Sequence, residues 1–178
     1  MRRGFTVLAI LLLMRSTPAR GQGGWNKFQS STAFSAMYPA TWRPIGLSTD
    51  RLDILSSADH AKGVVIARGE AEIIVIELRD SMGATLPQLI DLNIAGDSVL
   101  SRRNLLGEAG DASGCGALTE VVSTWMVGPA THEMHTGFYC ELQGRTFATT
   151  LRNWPDDRRQ EEYQRIALGV ARSIHLTP

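Results

Sequence analysis

Aromatic residues are scarce, 7% of 178 residues, and cysteine is scarcer, with two in the chain. Neither sign of charge predominates: 18 basic residues face 18 acidic ones. That balance removes the basic footprint that nucleic-acid binding requires, so no nucleic-acid partner is expected. No stretch has the roughly 20 apolar residues that a membrane-spanning helix needs. The one distinctly apolar run, Phe5 to Met14, is too short to span a bilayer and comes after Arg2 and Arg3. A basic flank, a short apolar core and then small residues (Ala19, Gly21) read as a signal peptide over 1–21. The expected product is a periplasmic or secreted chain with no membrane span. Removing Arg2, Arg3, Arg15 and Arg20 with the leader takes the 18 basic residues to 14 against 18 acidic ones, a mildly acidic protein. Repeats are absent, and the chain beyond residue 21 fits one domain of the usual size.

The cysteines, Cys115 and Cys140, lack the CxxC spacing of redox or zinc motifs. Export and an even count point to one structural disulfide. Two separate buried thiols are the alternative. A tight hairpin near Gly128-Pro129 would not set Cys115 opposite Cys140, so a bridge needs the segment Gly110 to Gly116 to fold back.

After a polar lead over 22–32, expected to be flexible, the domain occupies 33–178. Alternating or β-branched runs predict strands at Phe34–Tyr38, Trp42–Ile45, Leu52–Ser56, Gly63–Arg68, Ala71–Arg79, Ser98–Leu106, Ala117–Val127, Gly137–Leu142 and Arg145–Trp154. Gln143-Gly144 is a two-residue hairpin turn. A first helix is expected in TLPQLIDLNIAG, where Thr85 and Gln88 form a capping-box pattern. A second is expected from Asp157 to Ser173, capped by Asp157, with Tyr163, Ile166, Ala167, Val170 and Ile174 on one stripe. Strands joined by hairpins and two amphipathic helices give an α+β fold: an α/β/α sandwich whose central, mostly antiparallel sheet is covered by the mid-chain and C-terminal helices.

FSAMYPATW (Phe34 to Trp42) sets an aromatic, then Tyr38-Pro39, then Trp42. The chain ends on the strand TFATTLRNW, an acidic helix start and ARSIHL, with Ser173-Ile174. This layout resembles the PsbP-like fold family: photosystem II extrinsic proteins, DcrB-like bacterial proteins and related secreted proteins. The resemblance implies the same sandwich. It also implies a binding or accessory role, since members include a manganese-site accessory, a Ran-binding import factor and effector chaperones.

Several motifs invite catalytic readings. AGDSVL (Ala95 to Leu100) is similar to a GDSL esterase string, but no Asp-x-x-His accompanies it, and Gly96 followed by Asp97-Ser98 reads as a helix end and turn. GDASGCG is a loop. THEMH (Thr131 to His135) spaces its histidines by three where a zincin needs four. A turn there could still gather His132, Glu133 and His135 on a divalent cation; a solvated loop is the plainer reading. Asp59-His60 lacks an obvious nucleophile. No catalytic residue and no cofactor is assigned. Trp42, Trp125 and Trp154 are candidates for a binding platform.

The sequence therefore predicts an exported, non-enzymatic domain that binds a partner protein, a peptide or an envelope component. A hydrolase of unfamiliar type and a divalent-metal-binding accessory domain are the alternatives. A Trp-lined groove would favour binding. A pocket gathering His, Asp and Ser would favour the hydrolase.

Overall fold

Ten strands and two short helices are formed by the described residues. The structure, a computed structural model, describes residues 24–29, 34–47, 51–56, 69–79, 83–105 and 114–176. The expected signal peptide, the strand at 63–68 and Asp59-His60 lie outside the described residues. In chain order the elements are β1 (Trp25–Gln29), β2 (Phe34–Pro39), β3 (Arg43–Leu47), β4 (Arg51–Leu55), β5 (Glu72–Leu78), α1 (Leu86–Asn93), β6 (Ser98–Asn104), β7 (Ala117–Gly128), β8 (Thr131–Leu142), β9 (Arg145–Asn153), α2 (Gln160–Arg172) and β10 (His175–Leu176).

Seven strands form the main sheet in the order β3-β4-β5-β9-β8-β7-β6, and β1-β2-β10 form a smaller one. Every pairing is antiparallel. The β8–β9 turn is the expected Gln143-Gly144, both residues at positive φ (52° and 76°), as a type I′ turn requires.

One face of the main sheet carries Leu52, Ile54, Ile73, Val75, Leu118, Phe138, Cys140, Phe147 and Leu151. Against it pack α2, through Tyr163, Ala167, Val170 and Ala171, and the small sheet, through Phe28, Phe34 and Ala36. The Phe34 ring lies 5.5 Å from that of Phe28 and 5.3 Å from that of Phe147, joining the two sheets. The two segments that carry the family resemblance meet here. His175 and Leu176 pair with Ser35 and Phe34, and Ser173 Oγ accepts the Met37 N–H at 2.7 Å. Ile174 is fully buried.

Three expectations need correction. Trp25–Gln29, placed in a flexible lead, is a strand: its polar residues face out while Phe28 reaches the core and β2 supplies the ladder. Helix α2 begins at Gln160, not Asp157. Asp157 instead shapes the preceding turn, where its Oδ1 accepts the Arg159 N–H at 2.8 Å. THEMH is no loop; it opens β8, because β7 and β8 continue to the turn at residues 129–130.

Among the described residues, α1 alone covers the opposite face of the sheet. Gln88 Oε1 accepts the Thr85 N–H at 2.8 Å and the Thr85 hydroxyl at 3.0 Å, so the expected cap residues do meet. Ile90, with Leu86 and Ile94, packs on Val121, Tyr139, Ala148, Ile76 and Leu78.

Candidate functional site

Helix α1 has eight residues, about 12 Å at 1.5 Å per residue. Seven strands at about 4.8 Å spacing span more than twice that. Among the described residues a large part of this face therefore has no helix over it, and a cavity of about 410 Å³ lies there, beside the C-terminal end of α1.

The period of two decides what lines it. From β7 come Val121, Ser123 and Trp125; from β8, His135, Gly137 and Tyr139; from β9, Thr150 and Arg152; from β5, Ile74 and Ile76; from β4, Arg51. The ladders set these side by side, with Ser123 opposite His135, His135 opposite Arg152, and Gly137 opposite both Val121 and Thr150. Asn93, Ile94, Ala95 and Asp97, at the end of α1 and in the turn to β6, close one side.

Two glycines make room for rings. At Gly137 a Cβ would stand 2.6 Å from Tyr139 Cε2, so the phenol lies directly over the backbone of its strand. Its hydroxyl donates to Asn93 Oδ1 at 2.9 Å, pinning α1. Burial, reinforced by Asp97, pushes the Tyr139 phenol well above its ordinary value. At Gly96 (φ +97°) a Cβ would stand 3.0 Å from Trp125 Cζ3, so the indole leans on this turn.

The charges form one chain. Arg152 Nη1 donates to Glu72 at 2.7 Å and Nη2 to Glu133 at 2.8 Å. Glu133 has no exposed side-chain surface, and its Oε2 lies 3.7 Å from His135 Nε2. On the far side of the ring, His135 Nδ1 lies 3.0 Å from Asp97 Oδ2, which also accepts from Ser123 Oγ at 2.6 Å. Burial raises the Glu72 carboxyl despite the opposing pull of Arg152. Arg51 pairs with Asp53 at 2.7 Å.

Histidine, aspartate and serine thus do converge, as the hydrolase alternative requires, but in the wrong order. A nucleophilic serine gives its proton to a histidine whose far nitrogen is held by the carboxylate. Here the carboxylate sits between the two. Ser123 spends its hydrogen on Asp97 and is 1% exposed. His135 Nε2 is buried without a hydrogen-bond partner.

The expected site residues scatter. His132 and His135 point to opposite faces of β8, because three residues along a strand reverses the side chain. His132 is exposed in a hollow of about 270 Å³ beside Trp154 and Pro155, away from Glu133 and His135. Among the described residues no three of His, Cys, Asp and Glu are grouped as a metal ion would need. Trp42 is 5% exposed and meets the Tyr163 ring edge-on at 5.8 Å. Trp154 is 8% exposed. Both belong to the packing. Trp125, 42% exposed at the cavity, is the one candidate with a ring open to a ligand. Cys115 and Cys140 are bridged, with Cα atoms 5.6 Å apart. Sequence reasoning misses Asp97, Ser123 and Arg152 as members of the site. The signal that could find Arg152 is charge inside strands: Glu72 and Arg152 each interrupt a run that otherwise reads as sheet.

No helix among the described residues is long and apolar enough to cross a membrane. No family model matches the chain, and no curated protein matches it in sequence. Solved structures do match. The Ran-binding protein Mog1p of Saccharomyces cerevisiae aligns over 85% of this chain and 95% of its own, with TM-score 0.52 and 9% identity. The solution structure of cyanobacterial PsbP from Synechocystis sp. PCC 6803 aligns over 92% and 99%, with TM-score 0.50 and 13% identity. A Bacteroides thetaiotaomicron protein aligns over 85% of this chain, with TM-score 0.49 and 11% identity; this chain spans 48% of its length. The antiparallel sheet, the two covering helices and the superpositions on Mog1p and cyanobacterial PsbP establish that the chain has the PsbP-like fold.

Proposed function

We propose that this is an exported, non-enzymatic binding domain and that the cavity beside α1 is where it engages a partner protein, a peptide or an envelope component. The observation that carries this reading is the cavity itself. It joins an exposed Trp ring and an apolar floor to polar groups already bonded to one another. Such a site binds without offering a nucleophile. A disulfide, together with a basic and then apolar leader, supports export. The fold serves protein binding in the yeast Ran-binding neighbour, which is compatible with a partner here.

The hydrolase reading keeps one observation, the Asp97–His135 contact with an unpartnered Nε2. One experiment separates the two. The full chain and its Trp125→Ala variant are used to capture partners from envelope extract, and both are assayed on ester and amide substrates. Binding predicts that Trp125→Ala loses the captured species, since an aromatic hot spot is worth about 2 kcal/mol or more, with the melting temperature held within a few degrees. Undiminished capture by the variant, or substrate turnover that disappears in Asp97→Asn, would overturn the proposal.

A further inference from the structure

The chemistry of the cavity narrows the class of ligand, and the inference rests on the binding role proposed above. We propose that the cavity is a carbohydrate site, in which a sugar ring stacks on Trp125 and exchanges hydrogen bonds with the polar side chains around it.

The walls disfavour several other classes. A cationic ligand would meet Arg51 and Arg152, both of which line the cavity. An anionic one would have to displace carboxylates already seated on those guanidinium groups: Asp53 on Arg51, and Glu72 and Glu133 on Arg152. An acyl chain would take water from the Asp97 carboxylate and the Asn93 amide and offer no hydrogen bond in exchange, and such desolvation is costly. What fits mixed donors and acceptors of little net charge, beside an aromatic face, is a ring with an apolar C–H face and a rim of hydroxyls. Hydroxyls donate and accept equally well, so they can address a carboxylate, an amide oxygen and a guanidinium at once.

Preorganisation points the same way. The indole is braced on Gly96 yet 42% exposed. Asp97 is fixed by Ser123 and His135, Asn93 by Tyr139, and Arg152 by two glutamates. Side chains held by one another lose little freedom when a ligand arrives, which is how weak individual contacts add up to affinity. The volume, about 410 Å³, lies within the range of small-molecule sites.

The test uses tryptophan as its own reporter. The chain has four Trp, hence four indole N–H signals in the ¹⁵N-labelled protein. Cellobiose, maltose and N,N′-diacetylchitobiose are titrated in turn. We expect one of them to shift the Trp125 indole signal saturably, with Kd near about 1 mM or tighter. Trp125→Ala should weaken that binding at least about tenfold, read on the backbone amides of Ser123 and His135. Trp125→Phe should retain part of it, because a phenyl ring still offers a stacking face. Equal melting temperatures exclude misfolding as the cause. If none of the three sugars moves the Trp125 signal, or if binding survives Trp125→Ala unchanged, the carbohydrate inference is overturned. Should the sugars fail while envelope capture still depends on Trp125, the binding face stands and this ligand class falls. Should both fail, both proposals fall.

Discussion

At the scale of single residues, Gly137 and Tyr139 are the most informative pair. They lie two apart on β8, so they share a face, and the phenol occupies the space that any side chain at 137 would need. Gly137→Ala should destabilise by about 1–3 kcal/mol, the usual cost of overpacking, and should loosen the Tyr139–Asn93 contact that holds α1. Thermal melts measure the first effect, and the Trp125 signal reports the second. A variant as stable as the parent would mean that the ring rotates away freely. Tyr139 also makes a pH prediction. Its folded pKa is raised, first by burial and then by Asp97. The neutral phenol therefore stabilises the fold fully below the unfolded value of about 10. Above that pH the unfolded chain releases the proton while the folded chain retains it, so stability falls as pH rises. Tyr139→Phe should lose about 1 kcal/mol at neutral pH with the hydrogen bond to Asn93, yet show a shallower decline above about pH 10. Equal slopes for parent and variant would contradict the burial account; Tyr163, also raised by burial, contributes to the slope that remains.

At the scale of elements, the disulfide shows what the sequence does and does not reveal. Register sets Leu118, not Cys115, opposite Cys140. The bridge forms because the chain before β7 curls inward, with the Gly116 N–H on the Glu141 carbonyl at 2.7 Å. Breaking it with Cys115→Ala should cost about 2–5 kcal/mol, seen as a lower denaturant midpoint, and an unchanged midpoint under reducing and oxidising conditions would refute its structural role. Pairing of the cysteines was legible from the expected export and from parity, and the inward curl was not, because it depends on a glycine-rich segment with no period. Strands β2 to β7 and β9 were legible from alternation and β-branched runs, β8 only from Gly137 on, and the α2 stripe from its 3.6-residue spacing. The small sheet was not, since β1 has one core residue, Phe28, and shows no face of its own until β2 supplies one. Two residues singled out from sequence, Trp125 and His135, line the cavity. Its polar members come from four strands, the end of α1 and one turn, and strand order is what local patterns do not encode. His132 and His135 illustrate the converse: their proximity in sequence suggested a shared site, and the pleat separates them.

At the scale of the whole molecule, the two faces of the main sheet differ in how firmly they are held. Helix α2 and the small sheet bury Tyr163, Ala167, Val170, Ala171, Ile174, Phe28 and Phe34 on one side. On the other, α1 contributes one buried residue, Ile90, and the edge strand β6 is exposed at every position. Local opening free energies track buried apolar contact, ranging from near zero at weakly held elements to the global value in the core. Amides of β8 and β9 should therefore exchange only through global unfolding, at about 5–15 kcal/mol for a domain of this kind. Those of α1 and β6 should exchange through openings several kcal/mol cheaper. The wall of the cavity, from Asn93 to Asp97, belongs to this looser half, tied down by Tyr139, Ser123 and His135. A ligand that bridges Trp125 and Asp97 would add ties where they are fewest, so protection should rise first in α1 and β6 and hardly at all in β9. Native-state hydrogen exchange with and without ligand measures this directly. If α1 is already as protected as β9 in the free protein, the stability asymmetry drawn from burial is wrong, and the cavity is a rigid feature of the fold that α1 does not gate.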